Sequence, residues 1–348
     1  MSNRNSVLIV TLLLCLSTTI LPAQEQPRFR VMWWNVENLF DTRHDTLKND
    51  REFLPDGLRH WNYGRYKKKL GNLARVITAV GEWTPPVLVG LCEVENDTVL
   101  RDLTCYSPLA EQGYRYVMTD SPDERGIDVA LLYQPHRFKL LSQQSIRIGS
   151  FNGKNRPTRD VLHVCGLLLN NDTIDVFVCH FPSRSGGVKE SEPYRLFVAE
   201  KVRTKADSLM SVRKQPKLII MGDLNDYPEN RSIAKVLGAV APPMAPEPCT
   251  LYHLLARKAR QRHFGSYKYQ GQWGLLDHLI VSGSLIEASS SFYTSEDKAN
   301  VFQAPFILTE DEKTGGKQPF RTYNGMKYQG GYSDHLPIYT DFFIKEIE

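Results

Sequence analysis

The chain is 348 residues long, 41% hydrophobic and 24% charged, with a formal net charge of +4. That is ordinary globular composition, long enough for one large domain or two small ones, and the charge is too mild to argue for nucleic-acid binding. Of the six cysteines, Cys15 falls in the N-terminal leader; the others are odd in number and form no CxxC pair, so neither a disulfide framework nor a zinc cluster is indicated.

The opening MSNRNSVLIVTLLLCLSTTILPAQ predicts a secretory signal peptide over residues 1–23. Arg4 supplies a positive start, Val7 to Leu16 an apolar core short for a bilayer span, and Pro22-Ala23-Gln24 a small-residue exit. The alternative is an uncleaved anchor. Cleavage near Ala23 would leave a secreted or periplasmic chain with one domain over 24–348 and a charge of +3, since Arg4 is the leader's one charged residue.

Apolar β-type segments follow at 29–36, 86–94, 127–133, 161–169, 174–180, 217–223, 275–282 and 335–343. Several are continuously apolar, as strands buried on both faces are. Helical spacing appears at Tyr66, Leu70, Leu73, Val76, Ile77 and Val80, and again from Pro193 to Val212. Helices between strands, together with hairpin-like neighbours such as 161–169 and 174–180, predict a mixed α/β sandwich with helices outside. Residues 41–64, 239–265 and 308–331 are polar or rich in Pro and Gly, and predict long surface loops.

Acidic, amide and imidazole groups recur where these strands end or begin. Asn35 and Glu37 end the first, Glu93 ends LCEV, Asp128 opens IDVALLY and His180 ends IDVFVCH. Asp223 and Asn225 follow LIIMG, Asp277 stands near the start of LLDHLIVS, and Asp334-His335 introduces the last strand. Loops at strand ends converge over a rigid sheet, which is where catalytic groups collect in α/β folds. Asp223 and Asn225 are two apart and can share a face, although Gly222, Asp223, Asn225 and Asp226 are also all turn formers. His278 directly follows Asp277 and points to the opposite face. Ser183 and Arg184 before Gly186-Gly187 offer either a phosphate cradle or a tight turn. The basic run Arg65 to Lys69 reads as the solvated face of the first helix, with a nucleic-acid track as the alternative.

Taken together, WNVEN (34–38), LCEVEN (91–96), GIDVALLY (126–133), CHFPSRSGG (179–187), GDLND (222–226), LLDHLIVS (275–282) and YSDHLP (332–337) resemble the endonuclease/exonuclease/phosphatase superfamily, in the family's order. The resemblance implies a deoxyribonuclease I-like α/β fold, a four-layer sandwich of two mixed β-sheets flanked by helices, and metal-dependent hydrolysis of phosphate esters. It implies Mg²⁺ as cofactor, with Mn²⁺ or Ca²⁺ as alternatives, near Glu93, Asp334 and Asn35, with Glu37 a further ligand candidate beside Glu95. Asp223 would orient or deprotonate the attacking water and Asn225 would hold it or a phosphate oxygen. Asp277 would fix the tautomer and charge of His335, and Asp128 would pair likewise with His180.

The function expected on this basis is a secreted, divalent-metal-dependent phosphodiesterase, most simply a nuclease acting on DNA or RNA. The same chemistry on a phospholipid head group, an inositol phosphate or another small phosphate ester is the alternative, and an inactive binding module the third. No obligate protein partner is evident, and a monomer is expected.

Overall fold

The computed structural model describes residues 28–151, 157–286 and 289–345; the expected leader lies outside them. The first half of the fold contains β1 (Arg28–Leu39), α1 (Tyr63–Gly81), β2 (Leu88–Val94), α2 (Asp97–Cys105), β3 (Arg115–Met118) and β4 (Asp128–Tyr133). Then come β5 (Phe138–Ile146), β6 (Val161–Leu168), β7 (Thr173–His180), α3 (Val188–Val212), β8 (Leu218–Asp223) and β9 (Leu251–His253). A short hairpin, β10 (Tyr267–Tyr269) and β11 (Gln272–Gly274), precedes β12 (Asp277–Ser282). The remainder is β13 (Phe292–Tyr293), β14 (Asn300–Val301), β15 (Leu308–Glu310), β16 (Lys317–Pro319), β17 (Tyr323–Asn324), β18 (Lys327–Tyr328) and β19 (Ile338–Ile344).

Two mixed sheets result, one in the order β13-β19-β1-β2-β4-β3 with β14 also on β19, the other β5-β6-β7-β8-β12-β9. Strand alternation sorts their side chains. Val31 and Trp33 of β1 point into the core shared with Val176, Ile219 and Leu279 of the second sheet. Met32 and Trp34 face the other way, onto Leu70, Leu73 and Ile77 of α1. On the far side Val198, Val202 and Ala206 of α3 cover Phe177 and Ile220. The outcome is the helix–sheet–sheet–helix sandwich of the deoxyribonuclease I-like fold. α1 and α2 each begin at an asparagine cap, Asn62 and Asn96, whose side chains accept from the backbone N–H three residues on.

Each sheet contains one parallel pair, β1 with β2 and β7 with β8, joined through α1 and α3 respectively. The strands beside them run antiparallel: β4 on β2, β12 on β8, β19 on β1. The carboxyl ends of the parallel strands and the starts of their antiparallel neighbours therefore meet at one end of the sandwich. That is why the polar residues punctuate the sequence alternately after and before apolar runs.

Some boundaries differ from the sequence reading. α3 begins at Val188 rather than near Pro193, which sits inside the helix; a proline suggests a first turn, but here it costs one internal hydrogen bond instead. β5 escaped notice because it is mostly exposed and polar (FKLLSQQSI). The expected loop 308–331 holds two small hairpins, β15–β16 and β17–β18. All five described cysteines are free. Among the described residues no helix is long and apolar enough to cross a membrane.

Candidate active site

Two β-bulges lie side by side at the end of the first sheet. The β1–β2 register slips between Asn35 and Leu39, and the β2–β4 register slips between Cys92 and Val94. Glu37, Asn38 and Glu93 take positive φ of 51°, 56° and 61° there, and Asn225 does so at 51° beyond β8. Bulges re-aim side chains, and strained non-glycine backbone collects at functional sites. Gly222 lets β8 lie close on β7 just before Asp223: a Cβ there would meet the Cys179 carbonyl oxygen at 2.5 Å.

His335 Nδ1 lies 2.6 Å from Asp277 Oδ2. Trp33 Nε1 donates to the other Asp277 oxygen at 2.7 Å, and Ser266 donates to Oδ2. Burial alone would raise the Asp277 pKa, but His335 and these donors hold it below the carboxylate range. Burial would lower His335, yet Asp277 and then Asp223 hold it well above an ordinary histidine, so it is an imidazolium at neutral pH. The Tyr267 ring packs 4.9 Å from the imidazole.

Asp223 stands opposite both Asp277 and His180 in the second sheet's register. Its Oδ1 accepts from Asn225 N at 3.0 Å and its Oδ2 from Asn35 Nδ2 at 3.1 Å. Oδ2 is also 3.9 Å from the Nε2 atoms of His180 and of His335, too far for a direct hydrogen bond but close enough for one oxygen lying beside each pair to bridge it. Burial, opposed by His335 and reinforced by Asp277, raises Asp223 to about 7. Asp223, Asp277 and His335 each offer an atom within 4.8 Å of the others, a spacing a cation would also accept. Both Asp277 oxygens are already occupied by donors, however, so the trio is organised as a proton-carrying group.

The expected pairing of Asp128 with His180 does not form. Asp128 accepts instead from Ser121 N at 3.0 Å and from the hydroxyls of Thr119 and Ser121, closing the 119–128 loop over the start of β4. These local donors, within nine residues, capture the carboxylate before it reaches the other sheet. His180 Nδ1, fully buried, has no partner among the described residues. Burial first, then the charges of Arg159, Arg125 and His335, keep this histidine neutral.

Asn225 reaches the site chiefly through its backbone, its amide donating to the Phe181 carbonyl at 3.1 Å. Arg184 forms no phosphate cradle: it donates to Asn225 O at 2.7 Å and to Asn230, pairs with Asp226 at 3.2 Å, and so braces the loop carrying Asp223. His278 faces away from the site as expected, against His253 and the Asp226 carbonyl.

The carboxylates proposed to hold a cation form a second group. Asn35 Nδ2 reaches Glu93 Oε1 at 3.4 Å, while its oxygen accepts from Glu37 N at 2.9 Å. Asn35 thus bridges carboxylates by its nitrogen rather than presenting oxygen to them. Glu37 accepts from Thr322 N at 2.6 Å, and Arg321 lies between Glu37 (3.5 Å) and Asp334 (2.8 Å). Burial, then repulsion from Asp334, raises the Glu37 pKa. Lys69 is not on a solvated face: it is buried beneath this group, donating to Thr322 and the Tyr332 carbonyl, and burial lowers its pKa to about 8. Hard oxygen donors crowded until a guanidinium is drawn among them fit a divalent cation of the Mg²⁺ kind. Glu93 and Asp334, with 14% and 21% of their side chains exposed, are the ones open to receive it.

Sequence reasoning missed Lys69, Arg321 and Tyr267, and also Arg159, which pairs with Asp123 at 3.2 Å and donates to the Phe181 carbonyl at 2.7 Å. A Tyr or Arg within a polar loop carries no local signal; each becomes visible when the loop folds back onto the strand ends.

The profile of the Endonuclease/Exonuclease/phosphatase family matches residues 30–344, and the chain belongs to that family of metal-dependent phosphoric ester hydrolases. Among solved structures it is similar to a mannosyl-6-phosphatase of Bacteroides thetaiotaomicron VPI-5482, at 15% identity and a TM-score of 0.57 over 91% of this chain and 100% of that one. The human Nocturnin catalytic domain is similar at 18% identity and 0.54, over 92% and 96%. D. rerio TDP2 complexed with single-strand DNA product is similar at 15% and 0.53, over 90% and 98%. At these identities the likeness is one of fold. No curated protein matches in sequence.

Proposed function

We propose that the protein is a secreted, divalent-metal-dependent phosphodiesterase that hydrolyses nucleic acid by in-line attack of an activated water. The observation that carries this reading is the position of one carboxylate oxygen, Asp223 Oδ2, 3.9 Å from both His180 Nε2 and His335 Nε2. A phosphoryl group seated there would have a base on one side and two imidazoles around its oxygens. Asp223, oriented by Asn35 and the Asn225 N–H, takes the proton of the attacking water. His335, charged because Asp277 holds it so, donates to a phosphoryl oxygen and meets the developing negative charge. Neutral His180 is fixed by packing rather than by a carboxylate, and serves as a hydrogen-bonding group at the opposite oxygen. A Mg²⁺ ion at Glu93 and Asp334 would supply charge neutralisation and polarisation of a phosphoryl oxygen.

A small phosphate ester is the second reading, favoured by a cavity of about 330 Å³ lined in part by Pro182 and Ser183, which follow the end of β7. Arg125, Arg159, Phe151 and Tyr194 are among its lining residues, and it is of a size to hold one sugar or base ring. The mannosyl-6-phosphatase of similar fold shows that such a sandwich can serve a small sugar ester.

The test is cleavage of linear DNA, single-stranded RNA and bis-p-nitrophenyl phosphate by the mature chain, with Mg²⁺, Mn²⁺ or chelator and with His335→Ala alongside. Metal- and His335-dependent cleavage of nucleic acid supports the first reading, and cleavage of the small ester alone moves the assignment to the second. No activity on any of the three would return the inactive module. The leader supports placement outside the cytoplasm, and N-terminal sequencing of the exported chain, expected to begin at Gln24, tests that.

A further inference from the structure

The run Arg257-Lys-Ala-Arg-Gln-Arg-His263 lies in the 239–265 loop, and part of its charge is already partnered. Arg257 pairs with Glu296, and Lys258 donates to the Ala299 carbonyl and Asn300. Arg260, Arg262 and His263 are exposed and, among the described residues, their side chains have no ion pair or hydrogen-bond partner. All three border an open groove of about 950 Å³.

Lys268, Lys317 and Trp273 also line this groove, and no carboxylate does. Lys268 is neutralised by Asp311 at 2.8 Å and Lys317 by Glu310, so the uncompensated charge is that of the two arginines. Three glutamine side chains add neutral hydrogen-bonding groups. A patch with free guanidinium groups, amides and an indole, and no acid, is suited to a chain of phosphates carrying flat rings.

The groove is tied to the reacting groups by the chain itself. Its walls are the hairpins β10–β11 and β15–β16, which lie against each other and are joined by Lys268 donating to the Gly315 carbonyl at 2.8 Å. β10 begins at Tyr267, whose ring stacks beside His335, and alternation turns the next residue, Lys268, to the other side of the strand. β16 ends two residues before Arg321, which sits between Glu37 and Asp334. Lys317 and Arg321 are four residue steps apart, at most about 13 Å along the chain, so the groove leaves the site within the reach of a few nucleotides.

We infer that this groove is a binding track for a single-stranded nucleic acid, with Arg260 and Arg262 on phosphates and Trp273 stacking on a base. Its role rests on the nucleic-acid reading of the site, which the test separates. The experiment measures kcat/KM for a 5′-labelled 12-nucleotide single strand across a KCl series, and for bis-p-nitrophenyl phosphate, in wild type, in Arg260→Glu/Arg262→Glu and in Trp273→Ala. The small ester is too short to reach the groove. Expected for both variants is a fall of about tenfold or more on the oligonucleotide with the small ester unchanged, and for the arginine variant a salt dependence shallower by about one to two in log–log slope. Unchanged kcat/KM on the oligonucleotide, with wild type cleaving it well, overturns the track and leaves the nuclease reading standing. Wild type that cleaves the small ester but neither binds nor cleaves the oligonucleotide overturns both.

Discussion

His335 and Asp277 share a hydrogen bond of 2.6 Å at the meeting of the two sheets, with the carboxylate held from behind by Trp33 at 2.7 Å. The pair is fully buried, and its charge is balanced internally, so removing the acid leaves a histidine that has lost its reason to be protonated. Asp277→Asn is accordingly expected to lower kcat on bis-p-nitrophenyl phosphate by roughly 10²-fold or more. Circular dichroism should show an intact fold; an active, folded variant would remove His335 from its assigned role.

Asp223 offers a pH test. Its ionised form is the base, and burial places its pKa at about 7, so kcat/KM is expected to rise with pH through that value and level off above it. Stability runs the other way. The folded pKa lies above that of an unfolded carboxyl, so stability falls as pH climbs from about 4 to 7. Asp223→Asn should lose the activity limb while gaining Tm relative to wild type at pH 8, and gaining little at pH 4.

Asp128 should behave unlike Asp277. It anchors Thr119 and Ser121 rather than a catalytic imidazole. Asp128→Asn is expected to cost about 1–3 kcal/mol in urea unfolding, by leaving buried donors mismatched. Its kcat, measured below the unfolding transition, should fall far less than that of Asp277→Asn; equal losses would mean that Asp128 reaches His180 during turnover.

The crowding of Glu37 against Asp334, partly relieved by Arg321, predicts that a divalent cation stabilises the fold. At about 100 times its Kd, Mg²⁺ should add about 2.7 kcal/mol, read as a rise in Tm that EDTA reverses. Glu93→Gln should weaken that response, and isothermal titration with Mn²⁺ should show the matching loss of affinity. An undiminished response would place the cation elsewhere.

At Gly222 the backbones leave no space for a side chain. An alanine Cβ would lie 2.5 Å from the Cys179 carbonyl and 2.8 Å from its Cβ. Gly222→Ala is expected to destabilise by about 1–3 kcal/mol and to displace Asp223 enough to reduce turnover. Thermal melting and kcat measured together check this, and a stable, fully active variant would show that β8 can shift.

What the sequence by itself determined follows from short-range physics. Continuous apolar runs such as LIIMG and IDVFVCH specify buried strands, and the polar groups Asn35, Glu93, Asp223, Asp277 and His335 stand at their ends because a strand end is where a buried backbone first meets a cleft. His278 could be assigned to the wrong face for catalysis from alternation alone. Partnership was another matter. Asp128 and Asp277 look alike in sequence, each opening a strand and each far along the chain from the histidine expected to pair with it, yet one is taken by its own loop and the other crosses to His335. Lys69 lies in a run that reads as solvated and is buried under the acids, and Arg321 comes from a loop 284 residues from Glu37. Hydrogen-bond competition and burial depend on which groups the fold brings within about 3 Å, a distance that sequence separation does not encode. Only the closing of the two sheets on each other decided it.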